Sequence, residues 1–198
     1  MCGSGTLGIE AALIARKIPP GIFRSKFAFE KSPDFDADLW ENIFDDIQER
    51  EWGGSIISSD ISKHAVKLAY ENAKRAVVHK NIIYKGIDFR NYPKLQKRST
   101  VIINPPYGER IKPHDIEKLY SEIGDSLKKN FTGYSAWIIS SHMDAMRHVG
   151  LRASHNLTVF NGPLECRLSN YEMYEGSKKL KYQQMDNNKE TFKRKEFK

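Results

Sequence analysis

The chain has 198 residues, 39% of them hydrophobic and 29% charged, with a formal net charge of +7. That length supports one sizeable α/β domain and a little more, and no apolar run approaches the about 18 residues that cross a bilayer, so a membrane protein is excluded. Cys2 and Cys166 stand far apart in no metal-ligand spacing, which leaves a disulfide framework and a zinc site unsupported; no metal is expected, and a reducing cytoplasm fits. The opening Met1-Cys2-Gly3-Ser4-Gly5-Thr6 has neither the basic nor the apolar region of a signal peptide.

In chain order, a Gly/Ser/Thr loop leads into Ile9 to Ala15, rich in strong helix formers, so a helix is predicted from Thr6 or Leu7 to just before Pro19-Pro20. Residues 21 to 53 are acidic and aromatic. Within them, Leu39, Trp40, Ile43, Phe44 and Ile47 form one apolar stripe, predicting a helix over 34–50. Ser55 to Ser59 reads as a strand closing on Asp60, followed by a helix from Lys63 to Val77 or Val78. Asn81 to Lys85 gives another strand, running out near Asp88-Phe89. Val101-Ile102-Ile103 is a short buried strand ending at Asn104.

Asp115 to Asn130 repeats apolar residues at helical spacing, with Lys128-Lys129 placed favourably at its C-terminal dipole. Then come a strand over 136–141, a short helix over 142–149, and strands over 151–160 and 165–174 joined through Asn161-Gly162-Pro163. Strands alternating with helices before a closing hairpin predict an α/β, Rossmann-like, doubly wound and mostly parallel sheet with a C-terminal antiparallel hairpin.

Four positions in this framework carry chemistry. Gly3-Ser4-Gly5 opens a helix, where backbone can approach a ligand closely. Asp60 ends a strand where a carboxylate can accept both hydroxyls of a ribose, or can cap the following helix. Asp88, one strand later, can take an exocyclic adenine amine with Phe89 or Ile61 against the ring, or serve as a plain loop acid. Asn104-Pro105-Pro106-Tyr107 offers the Asn side chain and the Pro105 carbonyl as acceptors beside an aromatic ring, because consecutive prolines fix φ and remove two donors. By itself that tetrapeptide is also a tight turn.

Taken in order, these residues resemble class I S-adenosylmethionine-dependent methyltransferases. Met1-Cys2-Gly3-Ser4-Gly5-Thr6, Ile103-Asn104-Pro105-Pro106-Tyr107-Gly108-Glu109-Arg110 and Asn161-Gly162-Pro163-Leu164-Glu165-Cys166 are similar to the THUMP-containing large-subunit (23S) ribosomal RNA guanine-N2 methyltransferases. The resemblance implies transfer of a methyl group from S-adenosylmethionine to the N2 amine of a guanine in ribosomal RNA. It assigns Gly3, Ser4 and Gly5 to the methionine part of the cofactor, Asp60 to its ribose and Asp88 to its adenine, with Cys2, Ile61 and Phe89 also binding the cofactor. Asn104, Pro105, Pro106 and Tyr107 become catalytic, with Tyr107 stacking on the base and Arg110 meeting an RNA phosphate or pairing with Glu109. Asn-Pro-Pro-Tyr also serves methylation of protein glutamine or DNA adenine, and an inactive remnant that only binds RNA is a third reading.

Residues 1–175 therefore read as a catalytic domain with a helical insert at about 21–53, and 176–198 as a basic tail. The tail carries +5 of the net charge, against +2 for the rest. Its composition predicts disorder, either trailing along RNA phosphates or simply solvated. The family's pattern places a strand ending in Phe-x-Asp-Pro, and before it a THUMP RNA-binding domain, upstream of Met1. With that first strand missing, open edges on its two neighbours, low stability and little activity are expected.

Overall fold

The computed structural model describes residues 1–93, 99–106 and 113–174, which form two compact units, Met1–Asn91 and Tyr92 onward.

In the first unit, helix α1 (Thr6–Ala15) and helix α3 (Lys63–Arg75) accompany strands β1 (Ile56–Asp60) and β2 (Ile82–Gly86). The strands pair in parallel, Ile56 opposite Ile82 and Asp60 opposite Gly86, as a strand-helix-strand connection requires. Ala12, Leu13, Ile18, Ala73, Val78 and Ile82 make the core. Ser62 caps α3 by accepting from the Ala65 N–H at 3.3 Å. Both long helices end alike. Lys17 and Val77 enter the left-handed region at φ 58° and 57°, and the next amides, of Ile18 and Val78, reach back to the carbonyls of Leu13 and Ala73 at 2.9 and 3.0 Å. This closure satisfies last-turn carbonyls without glycine.

The insert holds a shorter helix than its periodicity predicted. α2 spans Ala37–Asp45, capped by Asp36. It stops because its last turn ends in Asp45-Asp46, the wrong charge for a C-terminus, and because the following chain is held elsewhere. The Arg50 amide donates to Arg16 C=O at 2.8 Å, and Glu49 pairs with the Arg16 guanidinium at 2.6 Å. Phe27, Phe29, Phe35, Trp40 and Phe44 gather into an aromatic cluster, so Trp40 serves packing as expected.

In the second unit, β3 (Thr100–Ile103), helix α4 (Pro113–Asn130), β4 (Ser135–Ser140), α5 (Met143–Arg147), β5 (His155–Asn161) and β6 (Leu164–Glu172) follow in order. The sheet runs β3-β4-β6-β5. β3 and β4 are parallel; β6 is antiparallel to both β4 and β5, giving the predicted hairpin. Ile116, Tyr120, Ile123 and Leu127 sit at helical spacing on α4, and all four are buried. Gly124 permits close approach: a Cβ there would stand 1.8 Å from the Val149 carbonyl oxygen.

β5 begins four residues later than the sequence predicted. Gly150 takes φ 63°, and only at Ser154, whose amide donates to Asn170 C=O at 2.8 Å, does the chain reach β6. β1 and β3 lie in separate sheets, each with one edge that no strand pairs among the described residues. The basic tail and the tetrapeptide's Tyr107 fall outside the described residues, as does Arg110.

Candidate active site

The loop before α1 is fastened by several hydrogen bonds, the Cys2 amide donating to Ser59 C=O at 2.8 Å among them. Gly3 donates its N–H to Asp60 Oδ2 at 3.1 Å. The Ser4 carbonyl accepts from Asn72 Nδ2 on α3 at 2.9 Å, and the Gly5 amide donates to Cys2 C=O at 2.8 Å. Gly5 needs its glycine twice over, since it takes φ 86° and a Cβ would meet Ala69 Cβ at 2.8 Å. Gly3 is different. It takes φ 51°, but a Cβ there would meet nothing within 4 Å, so its exposed backbone faces open space at a helix start that no side chain caps.

Asp60 is not the cap of α3; Ser62 is. Its carboxylate instead receives two backbone amides, Gly3 on Oδ2 and Ser62 at 2.9 Å on Oδ1. The acid thus binds the loop to the carboxyl end of β1. Ile61, 67% exposed, stands beside it. The half-buried Cys2 thiol is pushed up by burial, partly offset by the chain's amino terminus, so it is a neutral thiol rather than an ion.

Asp88 follows β2. Hydrogen bonds from the Arg90 side chain hold its carboxyl below the usual carboxylate range, and Phe89 lies under the Arg90 guanidinium at 5.9 Å. Sequence reasoning did not foresee Arg90 or Asn72. Spacing of two residues past Asp88 was the signal for the first. An Asn inside a helix, where it is disfavoured, was the signal for the second.

These features suit an adenosyl ligand: glycine backbone open to close approach, acids after two adjacent parallel strands, and an apolar side chain at each acid. Asp60, Ile61, Asp88 and Phe89 are brought onto one sheet end, with Gly3, Ser4 and Gly5 tied to it.

In the second unit, Asn104, Pro105 and Pro106 follow β3 directly. Pro105 is fully buried while Asn104 and Pro106 are exposed, so the buried ring anchors a segment whose Asn amide reaches solvent. Among the described residues, no group of three or more His, Cys, Asp or Glu is placed to hold a metal ion, and no helix is long and apolar enough to cross a membrane.

Known proteins agree with this architecture. The chain is 39% identical over 180 residues to the ribosomal RNA large subunit methyltransferase K/L of Alteromonas mediterranea, covering 88% of this chain and 26% of that protein. To the protein of the same name from Methylococcus capsulatus it is 36% identical, covering 85% and 24%. It thus spans about a quarter of the length of these relatives. Among solved structures, SMU.472 complexed with SAH aligns with a TM-score of 0.74 and 28% identity, covering 89% of this chain and 48% of that one. A possible methylase from Clostridium difficile 630 aligns with a TM-score of 0.79 and 31% identity, covering 90% and 48%. The fold is therefore the Rossmann-like one of S-adenosylmethionine-dependent methyltransferases. Residues 1–170 match the family described as UPF0020, the RMKL-like methyltransferase domain, and the chain belongs to that family.

Proposed function

We propose that this chain supplies the catalytic part of an enzyme that methylates the exocyclic N2 amine of a guanine in large-subunit ribosomal RNA, with residues 1–175 as the catalytic domain. The observation that carries this reading is the exposed Asn104 amide anchored by buried Pro105 at the end of β3. Names of the relatives, ribosomal RNA large subunit methyltransferases, support the substrate class.

S-adenosylmethionine, when bound, supplies an electrophilic methyl group. Gly3, Ser4 and Gly5 hold its methionine part by backbone, with Cys2 alongside. Asp60 accepts from the ribose, and Asp88 accepts from the adenine amine with Phe89 or Ile61 on the ring. Asn104 and the Pro105 carbonyl accept the two N–H groups of the guanine amine, while Pro106 keeps the turn rigid and Tyr107 stacks on the base. A conjugated amine is a poor nucleophile. Acceptors that orient it and tighten as positive charge develops on nitrogen therefore lower the barrier, and no strong base is needed before attack. The base must be flipped out or single-stranded to reach them, at a cost of a few kcal/mol. Arg110 and the basic tail hold phosphates, which makes RNA affinity fall with salt.

The test is methyl transfer from labelled S-adenosylmethionine to unmodified large-subunit ribosomal RNA, followed by nucleoside analysis. N2-methylguanosine is the expected product, reduced about 10²-fold or more in Asn104→Ala. Label in adenine or in protein would overturn the base assignment, and unchanged turnover in Asn104→Ala would overturn the role of Asn104.

A further inference from the structure

The carboxylate that reads the adenine amine in this proposal already has an occupant. Arg90 donates its backbone N–H to Asp88 Oδ1 at 2.9 Å. Its Nε is shared between Oδ1 at 2.9 Å and Oδ2 at 3.0 Å, and Nη2 takes Oδ2 as well. A carboxylate has about four acceptor sites, and these contacts use them. The turn itself does not need the guanidinium. The Arg90 backbone amide bonds Asp88 Oδ1, and the Asn91 amide closes the turn onto Asp88 C=O at 3.0 Å. Asp88 is half-buried, with 14% of its side chain exposed, whereas Arg90 is 50% exposed.

We propose that Arg90 is a specificity-determining residue of the cofactor site: its guanidinium is a resident competitor for the adenine amine on Asp88 and at the same time a donor to bases that carry a carbonyl there. An adenosyl ligand must displace at least one Arg90 N–H before its own amine can bond, so part of its binding free energy is spent on that exchange. A base with an oxygen in place of the amine meets the opposite situation. Asp88 repels that oxygen, but the Arg90 fork can donate to it, which narrows the preference for adenine. This inference rests on the proposed adenine role of Asp88.

The experiment is calorimetric titration of the full chain, wild type and Arg90→Met, Arg90→Lys and Asp88→Ala, with S-adenosylhomocysteine and with its inosyl analogue, whose base has a carbonyl in place of the amine. Arg90→Met keeps a flexible unbranched side chain and removes the donors, together with the guanidinium over Phe89. It is expected to tighten the adenosyl ligand and weaken the inosyl one, each about two- to tenfold, the range of one net hydrogen bond. Arg90→Lys, a point charge without the planar fork, is expected to fall between. Opposite signs separate this from a folding defect, which weakens both ligands. If Asp88→Ala loses affinity while Arg90→Met binds the adenosyl ligand no better than wild type, the inference is overturned and the Asp88 reading stands. If Asp88→Ala binds like wild type, the Asp88 reading falls and takes the inference with it. Absence of binding by the wild-type chain overturns both.

Discussion

The Gly3 amide and the Asp60 carboxylate meet at 3.1 Å, joining the loop at the start of the chain to the end of β1 across 57 residues. Because Asp60 also receives the Ser62 amide, its removal orphans two backbone donors at once. Asp60→Ala is expected to cost about 2 kcal/mol in urea unfolding and to abolish S-adenosylhomocysteine binding in calorimetry. Asp60→Asn, which keeps one acceptor oxygen, is expected to unfold later than Asp60→Ala. Equal stability of Asp60→Ala and wild type would show that the tether contributes nothing.

Val77 occupies the left-handed region at φ 57° and is 61% exposed. A β-branched residue is strained there by about 1–2 kcal/mol, with no burial in return. Val77→Gly is therefore expected to raise the thermal midpoint, the gain in the folded turn exceeding glycine's greater freedom in the unfolded chain. A lowered midpoint would mean that the side chain contributes packing that outweighs its backbone strain.

Tyr84 carries its hydroxyl in a buried place where it finds no hydrogen-bond partner among the described residues, its ring edge-on to Tyr70 at 5.5 Å. Burial pushes the phenol up to about 12 from 10.0. An unfolded chain ionises this group first, so the stability it supports is complete below pH 10 and is lost as pH rises toward 12. Tyr84→Phe is expected to stabilise the protein by about 1 kcal/mol at neutral pH, since it deletes an unsatisfied polar atom. It should also shrink the alkaline loss of stability and remove one late-titrating phenolate from the ultraviolet absorbance profile.

The open edge of β1 makes a prediction at the level of single amides. Asp60 C=O points to β2, where it accepts from Ile87 at 2.9 Å, so by strand alternation Ile57 and Ser59 point the other way. Among the described residues, only the Ser59 carbonyl is met there, by the Cys2 amide at 2.8 Å and by the Met1 amino group. Hydrogen exchange followed by NMR should show Ile57 and Ser59 amides exchanging much faster than that of Ser58. Uniform protection along β1 would reveal a second strand neighbour.

Most element positions could be read in the sequence because each has a local cause. β1, β2 and the closing hairpin follow from β-branched runs and Asn161-Gly162, whereas the cap of α3 is Ser62 and not Asp60. α2 was overextended because its stripe continues to Ile47, whereas the ties from Arg16 to Glu49 and Arg50 are tertiary and invisible in periodicity. The late start of β5 has the same origin: Leu151 to Ala153 are extended-looking residues that have not yet reached β6. Asp60 and Asp88 were identified by their place after strands, but their partners were not. A carboxylate's bonding to a loop amide or to a guanidinium depends on the fold, and only the two-residue interval to Arg90 hinted at it. Asn104 and Pro105 were legible because proline constrains backbone wherever it occurs.

Both units are uninterrupted stretches of chain, the first running to Asn91. Every strand pairing and core contact of α1, α3, β1 and β2 described above is therefore available once those residues have left a ribosome, before any of the second unit's sheet is synthesised. Such segments behave as foldons, opening and closing as cooperative blocks. The nascent chain can thus acquire its loop at Gly3 and the acids at Asp60 and Asp88 as one early event, and the Asn104 turn as a later one.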